Sequence, residues 1–169
     1  PQNSPKFAVP IQSVRGESIQ ISDPKSTRAM LALMDMEAQL RGAASHYGGP
    51  SALAEIMSTL HGLMFDRAKK AKQEWYELFN FVNDAGHCEN GLYALKANYG
   101  FAGLTLNDLK KFRSIESKLT GHGEAHLFPE GVLVSNGPLG SGLPQAQGLA
   151  VADGMSHTKR TTVCVLSDG

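Results

Sequence analysis

Residues 132–169 read VLVSNGPLGSGLPQAQGLAVADGMSHTKRTTVCVLSDG, and this stretch decides the fold. Residues 132–135 are a short apolar run that predicts a strand. Residues 136–142 (NGPLGSG) place three glycines in a turn. An Ala- and Gly-rich helix is predicted from there to about Met155. Residues 161–169 (TTVCVLSDG) are β-branched and apolar until Ser167, Asp168 and Gly169, which predicts a buried strand running into a loop. Strand, helix and strand in succession imply an α/β fold with helices packed on a buried parallel sheet. A buried final strand calls for a further element after it, so the chain is expected to be a piece of a longer polypeptide.

Upstream, Ser26 or Thr27 suits the cap of a helix to about Arg41, with Met30, Leu33, Met34 and Leu40 on its apolar face. Residues 42–49 form a loop, and Pro50 suits the first turn of a helix to about Phe65. Residues 66–77 are charged and expected in solvent, 78–82 (LFNFV) are a short strand, and 83–90 (NDAGHCEN) are turn-like. A short helix follows over 91–98, and Thr105 with Asp108 forms a cap pair for another to about Arg113. Residues 1–10 read as a loose lead-in. The organisation expected is a lead-in over 1–25 and a partial domain over 26–169.

Composition narrows the function. The chain has 169 residues, 41% hydrophobic and 19% charged, so disorder over the whole length is excluded. No apolar run approaches the roughly 18 residues of a membrane helix, so no membrane partner is expected. Sixteen basic and sixteen acidic side chains cancel, a poor match for a nucleic-acid binder. Two cysteines, Cys88 and Cys164, cannot build a disulfide scaffold, and a reduced, cytoplasmic setting fits them.

Three features carry chemistry. The turn over 136–142 lies between a strand and a helix, where free helix amides and glycine freedom make a seat for phosphate. It is equally a tight turn packed by glycine, and its spacing matches neither common nucleotide motif. Asp168 stands past the end of an apolar strand, where a carboxylate can hold Mg²⁺ against a phosphate or simply bond its own turn. His46, His87 and His122 each lie in a glycine-flanked loop, where an imidazole can relay protons or sit at the surface unused. They are not at zinc spacing.

In order along the chain, these motifs resemble the amino-terminal, diphosphate-binding part of transketolase, from about Met30 to Gly169. The family's SGHPGG appears as Ser45-His46-Tyr47-Gly48-Gly49-Pro50, and its GH before a Leu-Tyr helix as Gly86-His87 with Leu92-Tyr93. Asp108-Leu109-Lys110 and Phe112-Arg113 lead to Gly121-His122-Gly123-Glu124, where the family has GHPE. GPLGQG appears as Gly137-Pro138-Leu139-Gly140-Ser141-Gly142, and GDG as Ser167-Asp168-Gly169. Tyr47, Gly123, Ser141 and Ser167 depart from the pattern.

The resemblance implies thiamine diphosphate and Mg²⁺ as cofactors, and transfer of a two-carbon ketol unit between sugars, often phosphorylated. It assigns His46, His87 and His122 to the substrate channel and the diphosphate. It assigns Gly137 and Leu139, with Asp168 and Gly169, to the cofactor, and Asp168 to the metal. It also implies that a second metal ligand and the activating glutamate come from elsewhere. A complementary chain or segment, a dimer or higher oligomer, and inactivity of this chain alone are therefore expected. The alternatives are another thiamine diphosphate enzyme, such as a 2-oxo acid dehydrogenase first component, or a non-catalytic module that kept the fold.

Overall fold

A parallel pair is present, as expected of the fold, and the partner of the final strand is the run expected at 78–82. A computed structural model describes residues 4–167. In it β3 (Phe79–Asn83) runs parallel to β4 (Thr161–Val165), with Phe79 opposite Thr161 and Val82 opposite Cys164. Every residue of β3 is buried, which suits a strand covered on both faces. The run over 132–135 is not a strand. Its backbone bonds go elsewhere: Val132 donates to the Phe128 carbonyl at 2.9 Å and Asn136 to that of Gly123 at 3.0 Å. An apolar tripeptide was enough to suggest a strand, but the neighbouring loop satisfies it first.

The amino-terminal region is more ordered than a loose lead-in. Strands β1 (Ala8–Gln12) and β2 (Ser18–Ser22) form an antiparallel hairpin, with Ile11 opposite Ile19 and Val9 opposite Ile21. Pro10 is tolerated because this is a two-stranded ribbon with open edges. Asn98 ties the hairpin to the body: its amide donates to the Phe7 carbonyl at 2.7 Å and accepts from the Phe7 N–H at 2.8 Å.

Helix α1 (Pro24–Leu40) is capped by Asp23, whose carboxylate accepts from the Lys25 N–H at 2.9 Å, with Pro24 in the first turn. The expected Ser26 and Thr27 lie just inside. The single helix expected from Pro50 is two, α2 (Gly48–Ala52) and α3 (Ala54–Ala71), and α3 continues into the charged stretch. That stretch also holds α4 (Trp75–Leu78), whose Trp75 is buried against Phe65, ring centroids 5.9 Å apart. Helix α5 (Glu89–Asn98) begins two residues before its expected start, and α6 (Leu106–Lys110) carries the expected Thr105–Asp108 capping box. Helix α7 (Gly142–Met155) packs on both β3 and β4.

The core lies between α1, α3 and α5. Leu31, Met34, Leu92, Tyr93 and Leu95 are almost fully enclosed, and Phe112 and Phe128 close it from the later loops. This mass of side chains holds the carboxyl end of β3, from which the site is built.

Candidate functional site

Past Asn83 the chain leaves β3 through Asp84 and Ala85, makes a 3-10 turn over Gly86–Cys88 and enters α5. The Asp84 N–H donates to the Val165 carbonyl at 3.0 Å, so the ladder with β4 continues past the strands. The outlet lies beyond the carboxyl ends of a parallel pair, where α/β proteins place their ligands.

Asp84 changes the reading of the glycine-rich turn. Its buried carboxylate accepts from the Gly142 N–H at 2.6 Å and from the Gly140 N–H at 3.1 Å. Those amides, at the start of α7, are ones the sequence offers to a phosphate. An internal anion already satisfies them and complements the helix dipole. Glycine is required at 142, because an added Cβ would sit 2.7 Å from the Asp84 Cα.

The histidine loops meet at this outlet. The His46 and His87 rings lie with centroids 5.0 Å apart at 54°. Gly86 lets the His122 loop approach: a Cβ there would fall 2.9 Å from His122 Cδ2 and 2.9 Å from the Gly137 nitrogen. Gly137 thus lies beside His122, while Leu139 points outward, half exposed. Asp168 and Gly169 lie outside the described residues. Among the described residues no group of three His, Cys, Asp or Glu is arranged to hold a metal ion.

Each histidine loop is fastened from behind. Asn90 of α5 donates to the His46 carbonyl at 2.7 Å, and Ser45 donates to the Asp35 carboxylate at 2.5 Å. Burial raises the Asp35 pKa, while its bonds to Ser45 and Asn90 oppose the rise. The His46 pKa is lowered, first by desolvation and then by the positive fields of His87, Arg113 and His122, against the pull of Asp35. Arg113 donates to the Ala44 carbonyl, holding its guanidinium against the same loop. Around His122, Gly123 donates to Asn136 Oδ1 at 2.7 Å, and Asn136 donates to Glu89 at 3.0 Å.

Cys88, next to His87, is buried, and burial pushes its thiol up to about 11. That shift favours the thiol over the nucleophilic thiolate. His61 is enclosed in α3, and His126 is exposed beside Glu124. An apolar cavity of about 560 Å³, lined by Trp75, Phe79, Phe101 and Arg160 among others, contains none of the candidate residues.

Sequence reasoning passes over Asp84, Glu89 and Asn90, and it meets Asn136 only as the first residue of the glycine-rich turn. The available signal was the density of Asn, Asp and Glu in NDAGHCEN, too rich in hydrogen-bonding groups for a plain turn. The histidine side of the outlet fits an oxygen-rich anionic group. Three imidazoles can donate to it, and added Cβ atoms at Gly48 and Gly140 would meet nothing within 4 Å.

Comparison with known proteins identifies the family. The family described as transketolase, thiamine diphosphate binding domain, matches residues 25–162. The chain is 36% identical over 120 residues to transketolase 2 of Escherichia coli, covering 71% of this chain and 18% of that one. It is 37% identical over 129 residues to transketolase of Physarum polycephalum, covering 76% and 19%. A crystal structure of a mutant Pichia stipitis transketolase with fructose-6-phosphate superposes with a TM-score of 0.67 at 29% identity, over 86% of this chain and 22% of that one. The chain therefore spans about a fifth of the length of these relatives. By the extent of the match and the fold it shares, the chain belongs to the transketolase family and corresponds to part of its thiamine diphosphate binding domain.

Proposed function

We propose that this chain forms the histidine-bearing part of a thiamine diphosphate site, in a transketolase-like assembly that transfers a two-carbon ketol unit between sugars. The observation that carries this reading is the meeting of His46, His87 and His122 at the strand outlet, with His46 and His87 5.0 Å apart. Phosphorylated sugars are the proposed substrates, since the related Pichia stipitis enzyme is complexed with fructose-6-phosphate and with sedoheptulose-7-phosphate. When bound, thiamine diphosphate supplies the carbon nucleophile that the twenty side chains lack.

The residues of this chain bind, orient and move protons. His46, whose pKa desolvation and its cationic neighbours lower, offers a ring nitrogen to take a proton from a sugar hydroxyl. His87 and His122 donate to phosphoryl or hydroxyl oxygens. By the resemblance, Gly137 and Leu139 at the glycine-rich turn would contact the cofactor. Asp168, with Gly169 after it, would hold Mg²⁺. That role rests on the resemblance and on β4, whose carboxyl end lies beside Asp84.

The remainder of the site comes from a complementary chain or segment, and the isolated 169-residue chain is inert. Helix α7 is the proposed contact with a second copy, because Leu143, Val151 and Met155 are exposed along it and Gly148 and Gly154 have open space beside them. Unpaired Cys88 and Cys164 fit a reduced, cytoplasmic setting. Among the described residues no helix is long and apolar enough to cross a membrane.

Calorimetric titration of thiamine diphosphate with Mg²⁺ into the complete assembly tests the reading. Binding should require Mg²⁺ and weaken on the order of 10- to 100-fold in His87→Ala. Absence of binding in the complete assembly would overturn the reading, and ketol transfer by the 169-residue chain alone would overturn its inactivity.

A further inference from the structure

Behind the imidazoles lies a charged group that no part of the proposed chemistry uses. Glu89, at the first position of α5, is 2% exposed. One oxygen, Oε2, accepts from Asn83 Nδ2 at 2.8 Å and from Asn136 Nδ2 at 3.0 Å. Asn136 also donates to the Asn83 carbonyl at 3.0 Å, and its Oδ1 accepts from the Gly123 N–H at 2.7 Å. Asn83 donates in turn to the Ala85 carbonyl at 3.0 Å. The carboxylate thus joins the end of β3, the turn carrying His87, the loop carrying His122 and the start of the glycine-rich turn.

We propose that Glu89 is a positioning residue, whose carboxylate, through Asn83 and Asn136, fixes His87 and His122 relative to each other. Isolating a carboxylate from water is costly unless hydrogen bonds replace its hydration, and here two side-chain amides do so. Removing the carboxylate takes one of two acceptors from each amide, Asn83 keeping the Ala85 carbonyl and Asn136 that of Asn83, and the loops must shift to satisfy the buried N–H left over on each. The backbone of the His46 loop is held from a different direction, by Asn90 and the Asp35–Ser45 pair.

The same network accounts for Gly123. A Cβ there would lie 3.1 Å from Glu89 Cδ, from Asn136 Nδ2 and from Val132 Cγ1. The Gly123 N–H is also the donor to Asn136. Proline, which stands at this place in the family motif, has no N–H and would need the space Glu89 and Asn136 occupy. Gly123, Glu89 and Asn136 therefore form one set, and the departure from the motif is matched by its neighbours.

The inference rests on the proposed function only for what the histidines act upon; their placement can be read without cofactor. Imidazole ¹⁵N and ¹³C NMR signals of the full chain in its assembly, without cofactor, give the first arm. Glu89→Ala should move the signals of His87 and His122 and leave those of exposed His126 and His157 in place. Glu89→Gln, which can keep an acceptor at the Oε2 position, should restore both. In the second arm, thiamine diphosphate affinity should fall on the order of tenfold in Glu89→Ala and recover in Glu89→Gln. Unmoved His87 and His122 signals in Glu89→Ala, or no recovery in Glu89→Gln, overturn the proposal. If Glu89→Ala does not fold, Asn136→Ala replaces it, with the His122 signal expected to move further than that of His87; no movement of either again overturns it. Failure of the unmodified assembly to bind thiamine diphosphate refutes the proposed function and leaves the first arm intact.

Discussion

Helices α5 and α7 both flank the strand outlet and are built on opposite terms. In α5 every residue but Ala97 is buried, including Glu89, Asn90, Lys96 and Asn98. In α7 only Gly142, Ala146 and Asp153 are buried, while Val151 and Met155 are largely exposed. Helix α7 packs one narrow side on β3 and β4 and is tied by hydrogen bonds at both ends. Asp84 takes its first amides, and Asp153 accepts from Asn80 at 2.7 Å and pairs with Arg160. Helix α5 is held along its length by packing on α1, α3 and α6, with each polar group given a partner, as Lys96 is by the Gly131 carbonyl. Polarity alone therefore predicts neither burial. Position in the fold decides it, and polar groups enter the core where fixed partners meet them.

The largest separation between the two helices should come from truncation. Leu95 in α5 is fully enclosed. Leu95→Ala should cost about 2–5 kcal/mol, the transfer term plus an unfilled cavity. Chemical denaturation of the 169-residue chain measures it. A loss below about 1 kcal/mol would mean that the centre of α5 is loosely packed.

Next comes pH. His61 of α3 lies beside the Phe81 ring, centroids 4.6 Å apart, and its Nδ1 bonds the Met57 carbonyl at 2.9 Å. Burial, aided by the charge of Lys96 on α5, brings its pKa down from 6.5 to about 3. The unfolded chain therefore takes up a proton before the folded one does. Stability from this group is complete above pH 6.5 and falls as pH drops toward 3. Between pH 6.5 and 4.5 the loss should be roughly 2 kcal/mol. His61→Leu should flatten that part of the stability–pH curve, and an unchanged slope would assign the acid sensitivity elsewhere.

The parallel pair, α7, the capping box of α6 and three histidine loops were all legible in the sequence. They depend on local signals: a β-branched run, a glycine-rich turn, a Thr and Asp three apart, imidazoles flanked by glycine. What escaped depends on contacts across the chain. The hairpin escaped because Pro10 interrupts its alternation, although Val9, Ile11, Ile19 and Ile21 keep the period. Asp84 escaped because its partners, Gly140 and Gly142, lie 56 and 58 residues away. Glu89 is linked to Asn136 across 47 residues. In the sequence the glycine-rich turn offers its amides either to a phosphate or to its own packing, and in the fold Asp84 takes them. The anion is the protein's own, something no spacing within 136–142 could show.

The smallest stability effect should come from the outer side of α7, and it is the most informative about assembly. Val151 is 62% exposed, so Val151→Ser removes little packing and exchanges apolar surface for a hydroxyl that water can solvate. Serine and valine differ little in helix propensity. The stability of the 169-residue chain should therefore change by no more than about 0.5 kcal/mol. If this side of α7 faces a second copy, the same substitution places a polar group in an apolar contact, and the mass of the complete assembly in solution should shift toward the smaller species. A large stability loss in the chain alone would show that α7 packs inward at Val151. An unchanged assembly mass would remove α7 as the contact. A small stability change with a lowered mass would mean that α5 is buried by its own fold and α7 by its neighbour.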